Sequence, residues 1–179
     1  MIDLGQALVM GVVQGLTEFL PVSSSGHLIL VPALLGWSGE VTGLEFSVAL
    51  HVGTLMALLL AFWRDWWRLG LSAVRGLAQR SLADADAKLA WLLVIGTIPG
   101  AIAGYFLEKP IENALRSPAA VGVAMVVVAL VLLAADRLSP KARTERSMTV
   151  WDGLRVGLAQ ALALAPGVSR SGKIGRAHV

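Results

Sequence analysis

Near its N-terminus the chain sets an amide and a carboxylate, Gln14 and Glu18, four residues apart and so on one face of a helix. They lie in the apolar run Leu4–Leu20, and an ionisable residue in such a run is costly and by default a functional candidate. Phe19-Leu20-Pro21 then ends the helix, and Ser23, Ser24, Ser25, Gly26 and His27 follow at once. A carboxylate, hydroxyls and an imidazole at a broken helix tip can supply a general base, a nucleophile and a proton donor. The plainer reading places Glu18 at a water interface and gives the serines the task of capping the next helix, which suits Ser25 best. A second polar cluster, Pro166-Gly167-Val168-Ser169-Arg170-Ser171-Gly172, has the chemistry of an anion cradle. Gly167 lets backbone N–H groups approach an anion, Ser169 and Ser171 donate hydrogen bonds, and Arg170 can grip phosphate oxygens with two parallel donors. The alternative for Arg170 is a side chain snorkelling to a membrane surface. His51 lies inside another apolar run, where it either bonds a backbone carbonyl or lines the site.

Composition sets the solvent in which these clusters must work. Hydrophobic residues make up 56% and charged residues 15% of the 179 positions, and mean hydropathy is +0.71. Soluble domains carry roughly 25% charged residues, so this much apolar surface calls for lipid. There is no cysteine, which excludes disulfides, thiolate catalysis and thiolate-bound metal. Met1-Ile2-Asp3-Leu4 lacks the basic segment of a cleavable secretory signal. The net charge is +3, and the basic residues form no aromatic-interleaved stripe, so no nucleic-acid partner is expected.

Three apolar runs have the length of a bilayer crossing, about 20 residues: Phe46–Trp63, Leu89–Leu107 and Ala119–Ala135. Arginines and lysines concentrate between the first two (Arg64 to Lys88) and after the third (Arg137 to Arg146), while 37–45 has none. By the excess of positive charge on the cytoplasmic side, those two basic stretches are inside and 37–45 and 108–118 are outside. Both basic and outer stretches read as loops, with Glu108, Glu112 and Arg116 solvated.

The two polar tips are copies of each other. With an offset of 146 residues, Leu8, Gly11, Gln14, Leu16, Val22, Ser23, Ser25 and Gly26 fall on Leu154, Gly157, Gln160, Leu162, Val168, Ser169, Ser171 and Gly172. Five of these eight identities are Gly, Ser or Gln, so apolar bias does not explain them. If the first tip is a re-entrant hairpin, three spans separate the copies and the second enters from the opposite face, bringing the tips together near the midplane. If it crosses as one broken helix, the copies are parallel. The shortness of each half-helix favours the hairpin. The expected fold is all-α, a polytopic membrane helix bundle built as an inverted-topology repeat with re-entrant broken helices. Residues 1–149 form the first repeat and 150–172 begin the second.

Gln14-xxx-Glu18-Phe-Leu-Pro-Val-Ser-Ser-Ser-Gly-His27 resembles the Glu/Gln-xxx-Glu motif, with its following Ser-Ser-x-Gly-His, of bacterial undecaprenyl-diphosphate phosphatases. Pro166 to Gly172 resembles their Pro-Gly-x-Ser-Arg-Ser-Gly motif, and Leu50-His-Val-Gly-Thr-Leu and Gly96-Thr-Ile-Pro99 are also similar to family signatures. The resemblance covers about residues 1–172. It implies hydrolysis of undecaprenyl diphosphate to undecaprenyl phosphate and inorganic phosphate, which recycles the lipid carrier of cell-wall synthesis. It also implies a multi-pass protein of the bacterial plasma (inner) membrane with its site open to the outer side, a lipid diphosphate substrate, and surrounding membrane lipids as partners. Oligomeric state is left open, a homo-oligomer included.

In this reading Glu18, Gln14, His27 and Ser24 are catalytic. Arg170, Ser169, Ser171, Ser23 and Gly167 hold the phosphates. A divalent cation, Mg or Ca, sits near Glu18 to stabilise developing charge. His27 or Ser24 is the nucleophile, and the sequence does not choose. A lipid-phosphate transporter or flippase is the rival, since transporters are built from the same broken-helix repeats. After Gly172 the family pattern gives way to Lys173-Ile-Gly-Arg-Ala-His-Val179. Ile174–Val179 corresponds to the codons ATC GGA AGA GCA CAC GTC, which resemble a sequencing-library adapter. Residues 173–179 are therefore expected to be an artefact, and the chain a C-terminally truncated, inactive fragment.

Overall fold

A computed structural model of the chain describes residues 3–138, 148–162, 164, 167 and 168. Among them every regular element is helical: α1 (Leu4–Phe19), α2 (Ser24–Leu34), a 3-10 turn (Glu40–Thr42), α3 (Leu44–Ala61), α4 (Trp63–Ala78), α5 (Ala85–Leu115), α6 (Pro118–Leu138) and α7 (Val150–Leu162). Of the expected site residues, Ser169, Arg170 and Ser171 lie outside the described residues, as do 173–179.

Three segments are long and apolar enough to cross a bilayer: Leu44–Ala61, Ala85–Leu107 and Pro118–Ala135. They overlap the three runs read from hydropathy. α1 and α2, with 16 and 11 residues, are only about 24 and 17 Å long at 1.5 Å per residue. Each falls short of a hydrocarbon core of roughly 30 Å. They pack against each other, α1 also rests on α3, and α2 rests on α6.

The break between them has local causes. Leu20, ahead of Pro21, is extended at φ −85° and ψ 150°, as a residue preceding proline prefers. Val22 N–H turns back to the Leu20 carbonyl at 2.8 Å. Ser23 takes the left-handed value φ 62°, uncommon for a residue with a β-carbon. Its hydroxyl accepts from Gly26 N–H at 3.3 Å, so Ser23 rather than Ser25 caps α2.

α7 starts at the offset that superimposes the two tips in sequence. Thr149 and Asp152 cap it reciprocally: Thr149 N–H and Oγ–H both donate to the Asp152 carboxylate, at 2.9 and 2.7 Å, and Asp152 N–H donates to Thr149 Oγ1 at 3.3 Å. α7 lies along α5 on a seam of glycines spaced by four: Gly96 on α5 meets Gly153 and Gly157 on α7, Gly100 faces Gln160, and Gly104 faces Leu164 just beyond α7. A β-carbon at Gly96 would come within 3.1 Å of the Gly153 carbonyl, and one at Gly157 would collide with the Gly96 carbonyl and sit 3.0 Å from the Pro99 ring. Close backbone approach through small residues is how helices associate in lipid, where burial of apolar surface gives no advantage.

Two stretches read as loops are helical. Within Arg64–Lys88 the segment Trp63–Ala78 forms α4, and 108–115 continues α5. In the first case the charges occupy one flank of a helix that lies outside the spans, a pattern that a search for crossings passes over. Trp63, expected at the end of a span, instead begins α4. The segments expected outside do meet, since Arg116 donates to the Thr42 carbonyl at 3.3 Å.

Candidate functional site

Glu18 is the centre of a polar cluster drawn from three helices. Its Oε2 accepts from Gln14 Nε2 at 3.0 Å and from Ser24 Oγ at 2.6 Å, and faces His51 Nε2 at 3.7 Å. Gln14 and Glu18 come from α1, Ser24 from the first turn of α2, and His51 from α3. Spacing alone accounts for the first contact. The second exists because the Leu20–Ser23 break returns the chain towards the end of α1.

Hydrogen-bond direction fixes the orientation of Gln14. Thr54 Oγ1 has one proton, which goes to the His51 carbonyl at 2.9 Å, so towards Gln14 it can only accept, and Gln14 Nε2 donates to it at 3.3 Å. The same amide nitrogen serves Glu18. Gln14 is 1% exposed, and its Oε1 is left buried with no partner among the described residues. An unpaired buried acceptor costs about 1–3 kcal/mol.

His51 does both things the sequence allowed. Its Nδ1 is 2.8 Å from the Ser47 carbonyl and must donate there, since a carbonyl only accepts, and Nε2 is thereby turned to Glu18. His27 is held in the same way, Nδ1 donating to the Ser23 carbonyl at 2.9 Å. Among the described residues no hydrogen bond or ion pair joins His27 to Glu18. Ser23 is 5% exposed and is occupied as the cap, with Ser25 Oγ 3.4 Å from its own.

The second tip reaches the same neighbourhood. Gly167 has φ 93°, and a β-carbon there would meet the Val121 carbonyl at 2.8 Å and Met125 Cγ at 3.4 Å. A β-carbon on Gly26, in the first tip, would meet the Met125 sulfur at 2.6 Å. Gly26 and Gly167 therefore close on one stretch of α6, with the Met125 side chain as their common neighbour. Gly167 is required by its backbone angle and by this approach.

The oxygens of Glu18 and Ser24, 2.6 Å apart, are hard donors. Among the described residues no group of three His, Cys, Asp or Glu side chains could hold a metal ion. One carboxylate with neutral oxygens matches the way Mg²⁺ is bound when substrate phosphate completes its shell. The sequence reading missed Thr54 and Met125. His51 and Thr54, three apart on an apolar span, were the available signal, since polar groups there need a partner. Met125 gives none, being one apolar residue among many.

The family model described as "Bacitracin resistance protein BacA" matches residues 7–174. The chain is 51% identical over 167 residues to the undecaprenyl-diphosphatase of Desulforudis audaxviator (strain MP104C), covering 93% of this chain and 61% of that protein. It is 45% identical to the undecaprenyl-diphosphatase of Pelotomaculum thermopropionicum, covering 93% and 61%. With that of Rubrobacter xylanophilus it shares 47% over 173 residues, covering 96% and 64%. The chain thus spans about three-fifths of the length of the curated relatives it matches.

Proposed function

We propose, for a chain that belongs to the bacitracin resistance protein BacA family, that its site hydrolyses undecaprenyl diphosphate to undecaprenyl phosphate and inorganic phosphate. Relatives named undecaprenyl-diphosphatase at 45–51% identity support the substrate. The contact that carries the chemistry is Ser24 Oγ donating to Glu18 Oε2 at 2.6 Å. A hydroxyl already hydrogen-bonded to a carboxylate is the arrangement of a nucleophile with its base.

In this mechanism Ser24 Oγ attacks the terminal phosphorus and its proton passes to Glu18. The bond from that phosphorus to the bridging oxygen breaks, and lipid monophosphate leaves. Glu18 hands that proton to the departing phosphate and, a carboxylate again, takes a proton from water, which attacks the seryl phosphate. The bond from phosphorus to Ser24 Oγ breaks, Ser24 regains its proton from Glu18, and inorganic phosphate is released. Gln14 Nε2 holds the carboxylate towards Ser24. His27 Nε2, left unbonded when Nδ1 donates to the Ser23 carbonyl, is assigned the part of a proton acceptor, and Arg170, Ser169, Ser171 and the Gly167 and Ser23 backbones neutralise the phosphates. A divalent cation, Mg or Ca, would be held by Glu18 and would supply charge stabilisation at the phosphoryl oxygens. The site lies in the bacterial plasma membrane and opens to its outer side, following the distribution of basic residues.

The test is phosphate release from undecaprenyl diphosphate by the purified gene product that carries this chain, in detergent and without a gradient. A transporter would release none. Quenching in acid during turnover separates the two nucleophiles: a phosphoserine at Ser24 survives, whereas a phosphohistidine at His27 is lost. Covalent phosphate that vanishes in acid but survives in alkali would transfer the nucleophile to His27.

A further inference from the structure

The helix that the sequence reading passed over, α4, carries a surface the proposed hydrolysis does not use. It follows α3 after the single residue Phe62, so it begins where a membrane span ends. With 16 residues, three arginines and an aspartate, Asp65, it is not among the candidate spans. Its faces are settled by contact and exposure. One rests on α5: Gly76 is buried against Ala87, Trp91 Nε1 donates to the Ala73 carbonyl at 3.4 Å, and Arg68 pairs with Asp86 at 3.1 Å. A second face is apolar and open, with Trp63, Trp66, Trp67, Val74 and Leu77 between 49% and 67% exposed. Along its edge stand Arg64 and Arg75, both exposed, and Arg80 follows just past the helix end.

These three arginines have no carboxylate partner among the described residues, in contrast to Arg68, which Asp65 and Asp86 both neutralise. The Arg64 guanidinium lies 5.4 Å from the centre of the Trp63 ring. That contact orients the cation beside the apolar face without cancelling its charge. An amphipathic helix with an open Trp-rich face and a row of unneutralised arginines at its edge is built to lie in a bilayer surface. There the face enters the acyl boundary, and the cations stand at headgroup depth, where each favours an acidic headgroup.

We infer that α4 is an interfacial helix that recruits acidic phospholipid, with Arg64, Arg75 and Arg80 as the headgroup contacts, in the leaflet where α3 ends. The lipid so bound is distinct from the diphosphate substrate, because the polar cluster around Glu18 is formed by α1, α2 and α3 without α4. The inference is independent of the proposed hydrolysis.

The chain has no cysteine, so Val74→Cys provides a single attachment point on the open face for an environment-sensitive bimane label. The labelled protein is reconstituted in phosphatidylcholine vesicles holding one quarter phosphatidylglycerol, and quenching is compared when either lipid is the brominated component. Brominated phosphatidylglycerol is expected to be enriched beside the label roughly threefold over its bulk fraction at low salt, and less so at high salt. In the background Arg64→Gln, Arg75→Gln and Arg80→Gln the enrichment should disappear while quenching by brominated phosphatidylcholine persists, showing that the helix remains in the interface. No quenching by either lipid would place the face in water or under a protein partner and overturn the inference. Equal quenching by the two lipids in the unsubstituted protein, or an enrichment that survives loss of the three arginines, would overturn it as well.

Discussion

Thr54 on α3 holds Gln14 on α1 in one of its two amide orientations. Its proton is committed to the His51 carbonyl, so it accepts from Gln14 Nε2 at 3.3 Å. A flipped amide would set an oxygen against both Thr54 Oγ1 and the Glu18 carboxylate. A buried Oε1 directed away from both is the consequence. Replacing Thr54 with Val removes the acceptor and keeps the shape. Turnover of the gene product should fall by about three- to tenfold, matching one hydrogen bond of about 0.5–1.5 kcal/mol, with KM little changed. Thr54→Ser should restore it. Equal loss in the Ser and Val variants would show that Thr54 acts by packing alone.

Glu18→Gln leaves the size of the side chain intact but cannot take the Ser24 proton. Phosphate release should drop by roughly 10² to 10⁴, the range for loss of a general base, while the amount of protein in the membrane is unchanged. Near-normal release from this variant would remove Glu18 from the mechanism.

Arg170 is proposed to bind phosphate with a fork of donors, which an ammonium does not reproduce. Arg170→Lys should therefore remain badly impaired, with a raised KM for the lipid diphosphate. Recovery of most activity with Lys would reduce Arg170 to a point charge.

Sidedness is open to labelling. Cysteines placed at Ser38 and Ser81 should react differently with a membrane-impermeant thiol reagent in intact cells, Ser38 labelled and Ser81 protected. The opposite pattern would invert the orientation and the face from which substrate enters.

The seam between α5 and α7 leaves no room at Gly157, where a β-carbon would collide with the Gly96 carbonyl. Gly157→Ala should destabilise the protein by about 1–3 kcal/mol, the usual cost of overpacking, visible as a lower midpoint of thermal unfolding in detergent. Gly70→Ala, on α4 with open space around it, is the matched control and should leave the midpoint unchanged or raise it.

The spans were legible because lipid imposes one rule on long segments, and the polar tips because Ser, Gly, His and Glu stand out in apolar runs. Ser24 and Glu18 could be grouped from sequence since the break at Pro21 joins them locally. Thr54 and His51 reach the site from α3, tens of residues away in the chain. Their part depends on which face of α3 meets α1, and the pattern does not disclose it, because none of that span's residues is buried. α4 was hidden for a different reason: a charge every few residues reads as a solvated loop until its period is compared with a helix.

Gly26 and Gly167 come from tips far apart in sequence, yet each is packed against Met125. An unbranched thioether side chain adjusts its torsions at little cost, so the space between the tips follows one deformable spacer. Sulfoxidation there would turn an apolar spacer into a polar one where Gly26 and Gly167 both meet it. A branched, rigid residue would fix the interval instead. Met125 thus sets the interval between Gly26 and Gly167, though it carries no group able to react with phosphate.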